Sequence, residues 1–177
     1  MSTLRVNTIQ DEAGTTSMTI DSTGRILTPA RPAFCAKRIN SGGGIGLSGH
    51  ITLDTVVFNV GNCWDGTNKF QAPVAGIYLF TFTAFSSGNS SGAVQADNSN
   101  VKVYIEQDTD SSFGSPTMVA TTYTYVNGTT GYFNISMSGL GSLAANEYAR
   151  VNVASNYIYT STSGSNYAPT FTGCLIG

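Results

Sequence analysis

The side chains that could support catalysis are few in this chain. Its one histidine, His50, follows a glycine-rich stretch. A general base acts only within hydrogen-bond distance of a nucleophile, and no serine lies in the strand–turn–helix context that exposes a nucleophilic hydroxyl. The glycine-rich stretch 42–46 lacks the Lys-Ser/Thr pair of a phosphate-binding loop. We therefore predict a surface or turn position for His50, a flexible loop over 41–49 and no enzymatic activity.

Candidate metal ligands are equally sparse. Asp97, Asp108 and Asp110 do not have the spacing of an EF-hand, and Ca²⁺ requires about six to eight oxygen ligands. Solvated loop acids are therefore favoured over a calcium site. The cysteines are Cys35, Cys63 and Cys174. Their odd number and the absence of a CxxC pair favour buried free thiols over a metal site or a disulfide framework, so no metal and no cofactor are predicted.

The composition indicates a β-sheet protein with little charge. Only 10% of the 177 residues are charged, and 8 Lys plus Arg against 10 Asp plus Glu leave a net charge of −2. Binding to nucleic acid or to an anionic membrane would require a basic surface, and this balance argues against one. The 41% of hydrophobic residues are enough for a packed core. No apolar stretch approaches the roughly 20 residues of a membrane-spanning helix, and the polar N-terminus does not look like a secretory leader, so we expect cytoplasmic synthesis without membrane insertion.

Short runs of strand-forming residues recur from Pro32 onward, separated by Gly/Ser/Asn loops. This spacing is typical of a sandwich or jelly roll. Strands are predicted over 33–38, 51–59, 70–71, 76–85, 101–106, 118–126, 131–137, 148–155 and 170–176. The run 77–83 is apolar on nearly every residue through Phe80, which predicts a central strand buried on both faces. Tyr78, Phe80 and Phe82 share one face, as part of a core or of a subunit interface.

The segment before residue 30 has too few apolar residues for a core of its own. It holds two alternating runs, 4–9 and 18–20, each followed by a turn sequence that ends in Gly14 or Gly24. A floppy leader is one interpretation. The regular alternation favours a strand–turn–strand arm that pairs with other copies or with a larger assembly. We therefore divide the chain into an arm, 1–31, and a main domain, 32–177. The arm residues predicted to anchor it are Leu4, Val6, Ile9, Met18 and Ile20.

The main domain resembles the globular domain of complement C1q. The resemblance rests on the aromatic spacing of 70–82, on Pro32-Ala33-Phe34 and on Phe171-Thr172-Gly173-Cys174-Leu175. It covers about residues 32–177 and implies the ten-strand jelly roll shared with tumour necrosis factor, assembled as a homotrimer. It also implies that Cys35 and Cys174 lie on neighbouring strands. The residues that carry the core or trimer signature are Phe70, Gly76, Tyr78, Phe80, Phe82, Phe171 and Gly173.

The first eleven residues, Met-Ser-Thr-Leu-Arg-Val-Asn-Thr-Ile-Gln-Asp, are similar, together with Gly14, to the N-termini of bacteriophage structural proteins. The two resemblances imply a trimeric fibre or appendage knob on a virion surface, assembled in the host cytoplasm. Its arm would bind other virion proteins, and its knob would attach to a host-surface glycan or protein. The alternatives are a capsid decoration or cement protein, a secreted C1q-like lectin or ligand and, least favoured, a carbohydrate-active enzyme. Tyr157, Tyr159 and Tyr167 are predicted either to face a receptor or to be core tyrosines at strand ends.

Overall fold

The computed structural model describes residues 6–28, 30–39, 46–87, 99–126, 132–159 and 168–177. Within these ranges the chain is all β, and no helix long and apolar enough to cross a membrane occurs in them. The chain divides into two compact units, Met1–Arg31 and Pro32–Gly177. The all-β prediction is confirmed.

The first unit contains a three-stranded antiparallel sheet in the order β1-β2-β3. Its strands are β1 (Thr8–Gln10), β2 (Thr16–Ile20) and β3 (Ile26–Leu27). Both connecting turns are organised by an aspartate: Asp11 Oδ1 accepts the N–H of Thr15 at 2.7 Å, and Asp21 Oδ1 accepts that of Arg25 at 3.0 Å. A glycine in the left-handed region completes each turn, with φ of 83° at Gly14 and 82° at Gly24.

The boundaries of the first arm strand differ from the prediction. The run 4–9 was expected to be extended, whereas β1 covers Thr8–Gln10 and begins just before the Asp11 turn. The turn sets the register of the hairpin and therefore decides which residues pair. Leu4 lies outside the described residues, and Val6 precedes the strand.

Among the residues that the structure describes, the second unit has ten strands, in agreement with the predicted jelly roll. They are β4 (Ala33–Lys37), β5 (Gly46–His50), β6 (Thr55–Val60), β7 (Phe70–Gln71), β8 (Gly76–Ser87), β9 (Ser99–Asp108), β10 (Thr117–Val126), β11 (Tyr132–Leu143), β12 (Tyr148–Tyr159) and β13 (Thr170–Leu175). The strand order is β10-β9-β12-β8-β13-β4-β6, with β11 also paired to β8, and with β5 and β7 paired to β12. One half of the sandwich consists of β10, β9 and β12 with β5 and β7, and the other consists of β8, β13, β4 and β6 with β11. The pair of Tyr159 with Phe85 joins β12 to β8 and so links the two halves.

An aromatic cluster fills the space between the two halves. Phe34, Phe70, Tyr78, Phe80, Phe82 and Phe171 are all fully buried. Phe34 stacks on Trp64 with ring centroids 4.9 Å apart, and Phe80 stacks on Phe171 at 5.7 Å. Burial of the face that carries Tyr78, Phe80 and Phe82 is therefore complete within one chain, and this face forms the core and not a subunit interface.

The glycine-rich segment departs from the prediction of a flexible loop over 41–49. Gly46–His50 form strand β5, which pairs with β12, whereas 41–45 lie outside the described residues. Glycines have no side chains that could alternate between core and solvent, so the local sequence does not indicate a strand here. Pairing with β12 makes the segment extended. The predicted strand 51–59 begins instead at Thr55, while Ile51 and Leu53 are buried in irregular backbone just before it.

Candidate interaction surfaces

The sheet β6-β4-β13-β8-β11 has a second face, which points away from the core and which we call the outer face. Strand register places one row of side chains across it: Val60, Ala33, Cys174, Leu79 and Leu140. A second row is formed by Phe58, Cys35, Thr172, Thr81 and Ser138. Neither row contains a charged side chain, and Leu140 is 60% exposed. Lys37, the next outward residue of β4, lies beyond the second row, where it pairs with Thr170 and Thr55.

Strand β8 is therefore buried on one face only within the single chain. Tyr78 and Phe80 are fully buried, whereas Ile77 and Leu79, which alternate with them, are each 37% exposed. The prediction of burial on both faces is wrong for one copy of the chain. The apolar pattern reports that a side chain avoids water, but it does not reveal whether the covering atoms belong to the same chain.

The arm carries an apolar face of its own. Ile9 pairs with Met18, and Ile20 pairs with Ile26, so that the four side chains lie on one side of the small sheet. Ile9 and Ile26 are exposed, and Met18 and Ile20 are partly buried. Of the predicted anchor residues, Ile9, Met18 and Ile20 thus share a face. Ile26 was not predicted as an anchor, although it follows the Asp21 turn as Met18 follows the first turn.

His50 lies at the end of strand β5 beside a buried ion pair. Its Nε2 is 3.9 Å from Glu106 Oε1, and Arg150 Nε donates a hydrogen bond to the same oxygen at 2.6 Å. The Phe113 ring covers the guanidinium of Arg150 at 3.7 Å. Partial burial and then the charge of Arg150 lower the pKa of His50, against the opposing effect of Glu106. The surface position was predicted correctly. The neighbours of His50 form a structural ion pair, which no sequence pattern indicated.

The candidate calcium acids organise a loop. Asp108 Oδ2 accepts the N–H of Ser115 at 3.1 Å, and Asp110 Oδ1 accepts the N–H of Ser112 at 2.7 Å. The side-chain and backbone hydrogen bonds from Ser112 lower the pKa of Asp110. Asp97 lies outside the described residues. Among the residues that the structure describes, no group of three His, Cys, Asp or Glu side chains could hold a metal ion.

The three cysteines are free thiols in two different environments. Cys63 is buried, and desolvation raises its pKa to about 11. Cys35 and Cys174 are half-buried on the outer face, opposite Thr172 and Ala33 respectively, so that they are diagonal neighbours across β4 and β13. Burial also raises the pKa of Cys35. The prediction of buried thiols thus holds for Cys63 alone.

The two glycines of the predicted core signature lie where the chain packs closely. A Cβ added at Gly173 would lie 2.5 Å from Phe34 Cε1, and one added at Gly76 would lie 2.5 Å from Leu175 Cδ1. Each glycine therefore leaves space that a neighbouring side chain occupies.

The predicted receptor-facing tyrosines are described only in part. The backbones of Tyr157 and Tyr159 lie in β12, but their side chains, and all of Tyr167, fall outside the described residues. Their predicted receptor role remains a prediction.

Comparison with known proteins gives one family and one fold. Residues 33–176 match the family model of the C1q domain. Among solved structures, the globular domain of a zebrafish complement 1qA protein superimposes with a TM-score of 0.57 and 16% sequence identity, covering 82% of this chain and 98% of that chain. An identity this low establishes the fold alone. No curated protein sequence matches the chain.

Proposed function

The chain belongs to the C1q domain family, and from this premise we propose that it is a trimeric virion surface protein of a phage. In this proposal it acts by display and adhesion, without catalysis. Domains of this family are generally ligand-binding or structural, and they commonly form homotrimers. The observation that carries the proposal is the uncharged apolar row of side chains across the outer face. A second copy or copies of the chain are the occupants we assign to it.

The outer face has the composition of a subunit contact. Its central row crosses five strands through Val60, Ala33, Cys174, Leu79 and Leu140 without a charged group. Soluble monomers rarely expose large contiguous apolar patches, because such patches favour association in water. The edge strand β6 continues the apolar surface with Phe58, which pairs with Cys35 and is 47% exposed. A chain in which only 10% of residues are charged has few like charges to oppose such association.

The arm supplies the anchoring half of the proposal. Ile9, Met18, Ile20 and Ile26 form a narrow apolar face on a sheet of only three short strands. Such a sheet buries little on its own, and its edge strands offer unpaired backbone groups to a partner. We assign this face to other virion proteins, in keeping with the similarity of the first eleven residues to phage structural proteins. The knob is then left to meet a host-surface glycan or protein, with avidity from three equivalent copies.

The subunit contact is tested by the mass of the particle in solution. Sedimentation equilibrium of the full chain is expected to give about 55 kDa, three times 18.5 kDa. Leu140→Asp introduces a charge into the outer face and is expected to yield monomer. The matched control is Met118→Asp, since Met118 is an exposed apolar residue on β10, outside that face. A monomeric wild-type chain would refute the trimer.

The virion assignment is tested on purified particles. We expect the full chain to be found in gradient-purified phage in multiples of three copies. A chain that begins at Ala30 should remain trimeric and yet be absent from particles, because it lacks the arm. Detection of the full chain only in the soluble secreted fraction would favour the alternative of a secreted C1q-like ligand. Incorporation of the truncated chain at the wild-type level would show that the arm is not the anchor.

A further inference from the structure

A polar cleft lies at the end of the sheet where β7 and β9 flank the start of β12. Its volume is about 430 Å³, within the range of roughly 300–1,000 Å³ that is usual for small-ligand sites. Gln71 and Tyr148 form its floor as register partners, and Gln71 Nε2 donates to the Tyr148 hydroxyl oxygen at 3.0 Å. Two loops form the walls. One contributes Asn62, Trp64, Asp65 and Lys69, and the other contributes Ser111.

Both walls are held by internal contacts. The Asp65 carboxylate accepts the backbone N–H groups of Thr67, Asn68 and Lys69 at 2.8, 2.9 and 3.0 Å. The loop that contains Ser111 is held at Phe113, whose ring packs over the guanidinium of Arg150. A cleft whose walls are already ordered loses little conformational entropy when a ligand binds.

Trp64 is the aromatic part of the cleft wall. It is 4% exposed and lies in the cleft wall, and its ring stacks on Phe34. Its buried Nε1–H has no hydrogen-bond acceptor in the described structure. Buried donors are nearly always paired, and an exception calls for an explanation. The nitrogen itself is enclosed, so a ligand in the cleft can reach it only if the side chains around it move.

The charges of the cleft select the chemical class of that ligand. Lys69 and Asp65 contribute one charge of each sign, and the other polar groups are amides, a phenol and a hydroxyl. Burial raises the pKa of Asp65, but the backbone hydrogen bonds from Lys69, Thr67 and Asn68 outweigh it, so that the pKa is lowered and the group stays ionised. An anion would meet this carboxylate, and an apolar compound would leave several donors and acceptors unpaired.

We infer that the cleft binds a neutral saccharide through hydroxyl groups that pair with Tyr148 and Ser111. The inference rests on the proposed display function, for which it names the receptor class and a position. The ligand class follows from the neutral charge balance of the cleft and from its mixture of hydrogen-bond donors and acceptors. The cleft is separate from the outer face, which is formed by β6, β4, β13, β8 and β11.

The chain offers a direct reporter, because Trp64 is its only tryptophan. The indole N–H therefore gives one side-chain signal in a ¹H–¹⁵N spectrum of the full chain. The probes are glucose, galactose, mannose, N-acetylglucosamine and the disaccharides formed from two identical units of each, with glucose 6-phosphate as the anionic comparison. At least one neutral sugar is expected to shift the indole signal in a saturable manner. Tyr148→Phe and Ser111→Ala are each expected to weaken this binding about tenfold.

The matched control is Tyr123→Phe, since Tyr123 is exposed on β10 and does not line the cleft. This variant is expected to bind as the wild type does. The inference is overturned if no neutral sugar shifts the signal, if Tyr148→Phe binds unchanged, or if glucose 6-phosphate binds more tightly than glucose. These outcomes are distinct from failure of the proposed function. A trimer found in virions without sugar binding refutes the cleft alone, whereas sugar binding by a protein absent from virions refutes the virion assignment alone.

Discussion

The two faces of strand β8 look similar in sequence and behave differently in the structure. Tyr78, Phe80 and Phe82 are fully buried between the halves of the sandwich, while Ile77 and Leu79 remain more than a third exposed. The inner face is aromatic and contributes to the cohesion of one chain. The outer face carries an uncharged, mainly aliphatic row of side chains, and we assign it to contacts between chains. An apolar strand pattern therefore does not distinguish burial within one chain, which stabilises its fold, from burial between chains, which stabilises their association.

The largest difference between the two faces is expected from truncation of matched residues on β8. Phe80→Ala should cost about 3–5 kcal/mol, because the cavity lies in a closely packed aromatic core. Leu79→Ala should change the free energy of unfolding by less than about 1 kcal/mol when it is measured in a chain that also carries Leu140→Asp, so that subunit contacts do not contribute. Urea denaturation provides both values. Equal losses for the two variants would contradict the division between the faces.

Overpacking the inner face is expected to have the next largest effect. The Cβ of Gly173→Ala would lie 2.5 Å from Phe34 Cε1 and 2.8 Å from Phe80 Cδ1. Both atoms belong to buried rings, so the substitution should cost about 1–3 kcal/mol. Gly114→Ala is the control, since its Cβ would meet only Ser112 Oγ at 3.6 Å, and it should stay within about 0.5 kcal/mol of the wild type. A melting temperature of Gly173→Ala equal to that of the control would show that the rings can move aside.

The cysteines report on the same two environments through their reactivity. The thiolate is the reactive form, so a thiol with a raised pKa reacts slowly near neutral pH. Cys63, with a pKa of about 11, should be alkylated by iodoacetamide slowly in both trimer and monomer. Cys35 and Cys174 should be protected in the trimer and react several-fold faster in Leu140→Asp. Mass spectrometry after timed quenching distinguishes the three sites. Equal rates for Cys35 in the two forms would place it outside the subunit contact.

The arm differs from both faces, because polar turns and not an aromatic core organise its sheet. Hydrogen bonds from Arg25 and Thr23 lower the pKa of Asp21 from 3.8 to about 2. A carboxyl group with a lowered folded-state pKa stabilises the fold above its unfolded pKa and loses that contribution as the pH falls through the folded value. The β2–β3 turn should therefore loosen between about pH 4 and pH 2, a small effect at an exposed site. The amide signal of Arg25 should follow this transition, and Asp21→Asn should abolish it.

Most strands could be predicted from local residue pattern, since side chains that alternate between core and solvent leave a period of two in the sequence. This held for 70–71, 76–85 and 118–126, which correspond to β7, β8 and β10 within two residues at each end. It failed for β5, where Gly46 and Gly49 carry no side chain to alternate. The aromatic spacing from Phe70 to Phe82 also identified the family, because these rings must meet in one core.

Other features depend on contacts between residues far apart in the chain. Glu106 and Arg150 become a buried ion pair only because β9 and β12 are neighbours. The cleft joins Asn62, Ser111 and Tyr148, which share no local motif. Residue pattern determines which side chains avoid water, since that preference belongs to each residue and its period. Which atoms cover them, and which polar groups meet in one cleft, depends on strand pairing across the sheet, and that is a property of the folded chain.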